Sequence, residues 1–565
     1  MMQTIKKFFA SGTPWIWVNA GAVAISVIMT VGLLLLLALN GLSHFWPKDI
    51  MLANYSQPVL DSQPVEREII GERIDTEQVS AERIISSGIP VSAQTPLYER
   101  ELIKIGNRDL NGSDFTWLLT NYLSDISYPE NLTAFERREW GNFYGYVQEV
   151  KEAGVTVVTS DPSIESDDAA WLVLEERIER ALNIYEQIDT LEGDDIGEVN
   201  YALERLRLQE RGYELRGTDT PERLSAIAAE RANWEANYEI LQTRLGELYE
   251  QVERDSVVML AMNGDSTEIN VSQIVRAYQP NGMHIGSKLV VYGEKLWEFL
   301  SDEPREANTE GGIFPAIFGT VTMVLLMSIF VTPFGVIAAV YLREYAKQGF
   351  ITRTIRIAVN NLAGVPSIVY GVFGLGFFIY FLGSEVDQAF YPEALPAPTF
   401  GTPGMLWASL TLALLTVPVV IVSTEEGLAR IPRSLREGSL ALGATKFETL
   451  IRVVLPMASP AMMTGLILAV ARAAGEVAPL MLVGVVKLAP TLPINGNYPY
   501  FHLDQKFMHL GFHIYDVGFQ SPNVEAARPL VFATALLLVI VIALLNVLAV
   551  TIRNRLREKY KSLDM

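Results

Sequence analysis

Long apolar runs alternate with polar segments along the chain, and six of the runs reach the roughly 20 residues that a helix needs to cross a bilayer. These runs are Ile16–Leu39, Ala316–Leu342, Leu362–Phe381, Met405–Thr424, Ser459–Val486 and Leu530–Val550. The first run follows Lys6 and Lys7, but it is longer than a signal-peptide core and no small-residue cleavage site follows it. We therefore predict a retained anchor and five further spans.

The polar segment between the first two runs has a helical pattern at its centre. Apolar residues recur at heptad-like spacing in three stretches, which begin near Trp171, Val199 and Pro221. We predict an antiparallel helical bundle whose stripes form core seams rather than ligand sites. Asn263-Gly264-Asp265 predicts a β-hairpin, whereas residues 51–110 show only short mixed runs. The predicted fold class is an all-α polytopic membrane protein with a mainly α (α+β) domain outside the membrane.

Charge divides the chain into the same two parts. Residues 41–312 carry 24 Lys and Arg against 51 Asp and Glu, whereas the remaining residues carry 20 against 14. The mean hydropathy of +0.22 is high for a soluble protein. The chain has no cysteine, which excludes disulfide scaffolds and thiolate metal sites. Its net charge of −21 argues against nucleic acid as a partner and leaves membrane lipid as the expected surroundings.

Basic residues set the expected orientation. With a cytoplasmic N-terminus, the inner segments hold 16 Lys and Arg and the short outer loops hold 3, a clear positive-inside bias. Both termini are then cytoplasmic, in a bacterial inner membrane. The predicted divisions are a cytoplasmic N-terminus (1–15), a transmembrane anchor (16–40), an acidic periplasmic domain (41–312) and a five-span membrane domain (313–565) whose loop 425–456 is cytoplasmic.

The cytoplasmic loop contains a short amphipathic helix. Its pattern predicts a helix from Leu435 to Leu442, a break at Gly443-Ala444, and a second turn that rises to Leu455-Pro456 at the membrane. Such a helix either transmits force from a soluble domain to the spans or lies on lipid headgroups. Physical chemistry alone leaves both readings open.

Two ionisable residues interrupt the fifth apolar run. Arg472 and Glu476 are four residues apart, so on a continuous helix they share one face and can pair. Charges within a membrane are costly and usually face a partner or a pathway. The pair is therefore either a structural lock between helices or a positive contact for an anion in transit.

A second candidate lies at the start of the third run. Gly364, Pro366 and Gly371 predict a helix break, because proline lacks an N–H and glycine permits close or broken packing. Ser367 and Tyr370 then offer hydroxyl donors to an oxyanion. A plain kink with small-residue packing is the alternative.

Several kinds of chemistry have no support in the sequence. There is no phosphate-cradling G-x4-G-K-[ST] loop, no nucleophile elbow and no H-E-x-x-H zinc helix. His502, His509 and His513 lack carboxylates at fixed spacing, so no metal site is predicted. We expect a chain that is not an enzyme and binds no cofactor, with energy supplied by another subunit.

The cytoplasmic loop resembles the loop by which ABC importer permeases dock on their ATPase. The spacing of that pattern, E-A-A-x3-G-x9-I-x-L-P, is matched by Glu437, Gly443, Val453 and Leu455-Pro456. The sequence departs from it at Gly438-Ser439, which replace two alanines, and at Val453, which replaces isoleucine. Small residues remain where close approach is needed.

Other segments narrow the resemblance to the phosphate-importer permeases of the PstA family. It covers Gly311 to the C-terminus and the first anchor, and the acidic domain is similar to an extra N-terminal domain of some members. The segments that carry it are Gly311–Pro315, Ala338–Ala346, Ala363–Gly371, Ala471–Pro479 and Phe519–Asn523.

The resemblance implies a phosphate permease that works by alternating access. It implies a homologous PstC-like permease, two copies of a PstB-like ATPase that use ATP and Mg²⁺, and a periplasmic PstS-like phosphate-binding protein. It also favours the transport reading of Arg472 and Glu476. A permease for molybdate or sulfate and a scaffold for phosphate signalling remain as alternatives, while the Glu437 loop argues against an ion-driven transporter.

Overall fold

The structure is a computed structural model that describes residues 11–57, 65–92, 94–161, 169–305, 308–489, 491–521 and 524–560. Lys6, Lys7 and the Pro522-Asn523 end of the last outer-loop motif lie outside these residues. The description begins with the anchor helix α1 (Thr13–Leu42).

Antiparallel strands follow the anchor helix and form the region that we call the sheet domain (residues 50–311). Its strands are β1 Ile50–Gln57, β2 Val65–Ser80, β3 Leu97–Lys104, β4 Phe115–Leu119, β5 Leu123–Ser127, β6 Thr133–Arg137, β7 Phe143–Glu152, β8 Val155–Thr159, β9 Asp255–Leu260, β10 Ser266–Asn270, β11 Ile274–Tyr278, β12 Pro304–Arg305 and β13 Glu310–Gly311. One sheet has the order β4-β3-β2-β1-β5, and a second has the order β10-β9-β7-β6-β11 with β8 paired to β7. The mixed α+β character is therefore confirmed, and the strands occupy much of the stretch 51–110, which showed no secure pattern in the sequence.

The second sheet is the middle layer of this domain. Successive side chains of a strand point to opposite faces, so Ala134 and Tyr144 join a core with the first sheet. Their neighbours Phe135 and Phe143 join a second core beneath the helices. The hairpin at Asn263-Gly264-Asp265 is confirmed, because β9 and β10 pair across it with Leu260 opposite Ser266.

The helices of the sheet domain are α2 Ala81–Ser86, α3 Arg108–Asn111, α4 Ala169–Thr190, α5 Gly197–Arg216, α6 Pro221–Val252 and α7 Ile285–Ser301. Among them, α4, α5 and α6 form a two-armed hairpin rather than the predicted three-helix bundle. The prediction was wrong because a π-helical segment, Leu191–Ile196, continues α4 into α5 without a turn. The turn comes later, at Gly217, whose φ of 62° suits glycine. Pro221 then begins α6.

A buried ion network fastens α7 to the second sheet. Arg276 on β11 contacts Glu136 at 2.7 Å and Glu298 of α7 at 2.8 Å. Lys295 of α7 also pairs with Glu136. Helix α7 leads into the small β12–β13 ribbon and then into the membrane domain, so the network sits at the base of the sheet domain.

The membrane domain contains eleven described helices. They are α8 Phe314–Val340, α9 Phe350–Leu362, α10 Ser367–Phe373, α11 Ser384–Phe390, α12 Met405–Arg430, α13 Arg433–Ala441, α14 Lys446–Thr449, α15 Leu455–Ala473, α16 Leu480–Val483, α17 Leu510–Tyr515 and α18 Val524–Tyr560. Four π-helical segments adjoin these helices. One extends α8 (Tyr341–Tyr345), one joins α10 to α11 (Gly374–Gly383), one joins α14 to α15 (Leu450–Val454), and one follows α17 (Asp516–Gln520).

Six helices among the described residues are long and apolar enough to cross a membrane, as predicted. They are Trp15–Phe45, Phe314–Tyr345, Ser367–Phe390, Met405–Arg430, Lys446–Ala473 and Ala527–Glu558, numbered spans 1 to 6. Span 4 is central and packs against spans 2 and 5, while span 6 packs against span 5 and α1. Gly465 permits close packing here, since a Cβ on it would lie 2.7 Å from Ser423 Cβ.

The bounds of all six spans differ from prediction, and the differences in spans 3 and 5 bear on the candidate residues. Span 3 begins at Ser367 rather than at Leu362, because Pro366 cannot continue α9. Span 5 was expected to cover Ser459–Val486, yet its helix ends at Ala473. Gly475 and Pro479 lie in the turn that follows, and neither favours a continuing helix. Hydrophobicity hid this break, since the residues on both sides are apolar.

Candidate functional site

Arg472 and Glu476 flank the break in span 5. Arg472 occupies the last turn of α15, where a cation interacts favourably with the helix dipole. Glu476 lies beyond the helix end, so the expected common helical face is wrong. The side chains still meet, with Arg472 Nε 3.5 Å from Glu476 Oε1. Both are half-buried, with 32% and 20% of their side-chain surfaces exposed, so the pair remains partly accessible.

The break before span 3 lies next to this pair. Gly364 and Pro366 fall between α9 and α10, whereas Gly371 lies inside α10. A Cβ on Gly371 would lie only 2.7 Å from Pro479 Cα. The Gly371 backbone therefore packs directly on the turn that carries Glu476, and the two breaks form one neighbourhood, which we call the break site (Ala363–Gly371 and Arg472–Pro479).

The two hydroxyl candidates in the break site differ in their bonding. Tyr370 is buried and donates its hydroxyl proton to Leu362 O at 2.6 Å. That bond braces the end of α9, so the expected free donor at Tyr370 is not present. Ser367 is half-buried at the first position of α10, and its hydroxyl makes no hydrogen bond within the described parts of the chain. Ser367 is thus the candidate hydroxyl that remains available in the break site.

The loop between spans 4 and 5 contains the predicted amphipathic helix as α13. Gly443, with a φ of 89°, ends it, and Gly443 N donates to Leu440 O. Thr445 then begins α14 with a capping box to Glu448. Leu455 and Pro456 start α15, where proline at the first turn is well tolerated.

The loop has an uncovered face that points away from the spans. It is formed by Glu437, Leu440, Leu442 and Phe447. Leu442 is 91% exposed and Phe447 62% exposed. Glu437 is exposed and has no ion pair among the described residues. We call this face the coupling surface. An acid beside unpartnered apolar side chains is typical of a protein contact.

The inner face of the loop is tied to span 2 through contacts that the sequence did not reveal. Arg436 pairs with Glu344 at 2.9 Å and also donates to Leu428 O at 2.7 Å. The Lys446 ammonium lies 4.5 Å from the centre of the Tyr345 ring. In the sequence, Arg436 was counted only as a basic loop residue, and its spacing from Glu344 gave no signal of a contact.

The three histidines of the last outer loop do not assemble a metal site. His509 Nδ1 accepts from Gly511 N, His513 Nδ1 lies 3.4 Å from Thr534 Oγ1, and His502 contacts Asn495. Within the part of the chain that the structure describes, no group of three or more His, Asp or Glu is placed to hold a metal ion.

Comparisons with known proteins cover the membrane domain. Residues 331–561 match the family described as binding-protein-dependent transport system inner membrane component. The phosphate transport system permease protein PstA 1 of Mycobacterium tuberculosis is 36% identical over 245 residues, which are 43% of this chain and 71% of that protein. The probable PstA of Methanocaldococcus jannaschii is 30% identical over 257 residues, covering 45% and 79%. A chain of an inward-facing methionine ABC transporter aligns with 43% of this chain and 94% of its own length, at 20% identity and a TM-score of 0.32.

Six spans and the matched segment define a multi-pass inner-membrane component of a binding-protein-dependent transporter, a class of transport subunits. Within this class, the chain belongs to the PstA family of phosphate transport system permease proteins. The family match begins at residue 331, after the sheet domain.

Proposed function

We propose that this chain is the permease subunit of an ATP-driven importer that moves inorganic phosphate across the inner membrane by alternating access. The observation that carries the proposal is the half-buried Arg472–Glu476 pair at a helix break, in a chain whose relatives are named phosphate transport permeases. A guanidinium matches the oxygens of phosphate in charge and geometry. A charge within a membrane span is costly, so the presence of this guanidinium points to a function.

The break site lines part of the pathway through which the anion crosses the membrane. Arg472 contacts the phosphate, Ser367 donates a hydrogen bond, and Glu476 holds the guanidinium when the path is empty. Glu476 also limits affinity, because its carboxylate repels the passing anion. Since the pair is partly accessible, a homologous PstC-like permease completes the path.

Energy enters through the coupling surface. The coupling surface docks on one subunit of a PstB-like ATPase dimer, and this dimer binds ATP and Mg²⁺. The docking residues are Glu437, Leu440, Leu442 and Phe447, whose apolar members are exposed. Closure of the dimer moves α13, and the Arg436–Glu344 pair carries that motion to the end of span 2.

The coupling role predicts a specific loss of ATPase binding. Glu437→Lys reverses the charge of the coupling surface, so we expect the ATPase to dissociate from the complex during purification. Glu558→Lys changes an exposed acid near the end of α18 and serves as the matched control. Equal retention of the ATPase by both variants would contradict the docking role.

The orientation follows from the basic residues and is part of the proposal. Both termini are cytoplasmic, 1–15 precedes the anchor 16–40, and 41–312 is periplasmic, on the side where a PstS-like protein delivers phosphate to the domain 313–565. Since the chain has no cysteine, Ile240→Cys offers a unique thiol on the exposed face of α6. An impermeant maleimide added to spheroplasts should label it, and labelling only after lysis would refute this orientation.

The transport role predicts a large loss in Arg472→Ala. Charged hydrogen bonds contribute about 1.5–3 kcal/mol, so phosphate uptake should fall by roughly 10- to 100-fold in reconstituted vesicles. Arg207→Ala, in an exposed pair with Glu204, should leave uptake unchanged. Membrane assembly of both variants should match the parent chain. Normal uptake by Arg472→Ala would overturn the assignment.

A further inference from the structure

Helix α7 presents an apolar face outward, the reverse of a typical soluble helix. Its charged side chains Lys295 and Glu298 point inward to the ion network with Glu136 and Arg276. Its most exposed apolar residues are Ile285 at 74%, Leu289 at 55%, Val290 at 61% and Trp297 at 70%.

These exposed residues fall on one side of the helix. With 3.6 residues per turn, they lie within an arc of about 140°. Gly286 and Gly293 share that arc, while Ser287 and Glu294 lie beyond its edge. We call the arc the apolar face of α7. A surface helix with such a stripe normally buries it against something.

The position of α7 identifies what covers the face. Tyr292 and Phe299 of α7 contact Phe45 at the end of span 1, with ring centroids 6.5 and 5.0 Å apart. Ile313 N donates to Phe299 O, which fixes the end of α7 at the start of span 2. The helix therefore lies at the level where two spans leave the bilayer.

Neighbouring surfaces are lipid-facing or interfacial in character. Leu39 and Leu42, in the last turns of α1, are exposed apolar residues. Trp46 lies 6.0 Å from the Tyr292 ring and is exposed, as is Trp297. Tryptophan is enriched at membrane–water interfaces because its ring is amphipathic.

We propose that α7 is an interfacial helix that lies on the membrane surface at the base of the sheet domain, with Ile285, Leu289, Val290 and Trp297 among the lipid acyl chains. The helix thereby holds the sheet domain at a fixed height, since the ion network joins its inner face to β6 and β11. This role depends on spans 1 and 2 crossing the membrane and not on the transported anion.

Spin labels in the full chain test the placement. Because the chain has no cysteine, Leu289→Cys gives one label on the apolar face without disturbing a buried contact. Ser287→Cys places a label on the polar side of the same helix, and Ile240→Cys places one on an exposed apolar position of α6. Each labelled chain is assembled into its complex in lipid nanodiscs, and accessibility to oxygen and to a water-soluble nickel chelate is measured.

We expect the Leu289 label to collide several-fold more with oxygen than with the nickel chelate, relative to the Ile240 label. The Ser287 label should resemble the Ile240 label more closely. A Leu289 label as accessible to nickel as that at Ile240 would overturn the proposal. A Leu289 label shielded from both reagents would also overturn it, by assigning the face to a protein partner.

Discussion

Charged side chains are paired differently in the sheet domain and among the spans. In the sheet domain, Arg276 lies between Glu136 and Glu298 at 2.7 and 2.8 Å, and further cations surround the two carboxylates. Burial raises the pKa of Glu136, but the charges of Lys295 and Arg276 outweigh it and hold that pKa well below its usual range. Arg472 instead meets one carboxylate at 3.5 Å, on a broken backbone.

The difference separates a structural network from a functional pair. Where each buried charge has close partners, removing one weakens the pairing of the others, so the cost is mainly in stability. Where a charge is partly satisfied and partly accessible, it retains capacity to bind a passing ion. The comparison therefore predicts opposite readouts for two arginines of one chain.

The largest effect on stability should come from Arg276→Met. Two largely buried carboxylates lose a shared cation but each keeps another, Lys295 or Arg305, so the cost should lie below the roughly 3–5 kcal/mol of a buried charge left unpaired. We expect the sheet domain to unfold at a lower temperature. Limited proteolysis of the full chain in nanodiscs measures this unfolding. Arg207→Met, in an exposed pair, should shift it little. Equal shifts in the two variants would erase the contrast, as would loss of uptake by Arg276→Met molecules that remain folded.

A smaller effect should follow from crowding the break site in Gly371→Ala. The added Cβ would lie 2.7 Å from the Pro479 backbone, which cannot move as a side chain can. Overpacking costs about 1–3 kcal/mol of stability, and the shift that relieves it displaces the turn that carries Glu476, so phosphate uptake should fall. Gly376→Ala in the same span meets nothing within 4 Å and is the matched control. Similar phosphate uptake by both variants would show that the packing of span 3 on this turn does not affect the Arg472–Glu476 pair.

The sequence predicted the features that depend on long periodic patterns. Six apolar runs and the amphipathic loop helix were visible because each repeats one signal over many residues. The strand-rich stretch 51–110 was not, since its strands pair with partners distant in the chain. Gly475 and Pro479 were visible as residues, yet the apolar run around them concealed the break that separates Arg472 from Glu476.

Contacts between distant segments were beyond the sequence altogether. The Tyr370–Leu362 bond and the Gly371–Pro479 approach depend on how two breaks pack together. The Arg436–Glu344 pair likewise joins residues that lie on different elements. From residue type alone, Tyr370 was a candidate hydrogen-bond donor to an anion. The structure shows that its hydroxyl already donates to Leu362 O.

The smallest effect should be that of Tyr370→Phe, which sharpens the distinction between bracing and binding. Loss of one buried hydrogen bond costs about 1 kcal/mol, so the melting temperature should fall slightly. The phosphate KM of uptake should stay within about twofold, because this hydroxyl donates to Leu362 rather than to the path. Tyr380→Phe, at an exposed position of the same span, is the control. A raised KM with unchanged stability would make Tyr370 a substrate contact.

The central claim is that this permease couples phosphate passage to ATP hydrolysis in a partner. ATP hydrolysis by the purified complex in lipid, with its binding protein and a panel of phosphate, molybdate and sulfate, tests the claim most directly. We predict that phosphate alone stimulates hydrolysis in the parent chain and that Arg472→Ala greatly reduces the stimulation. Stimulation by molybdate or sulfate instead, or the absence of any ATPase that purifies with the chain, would contradict it.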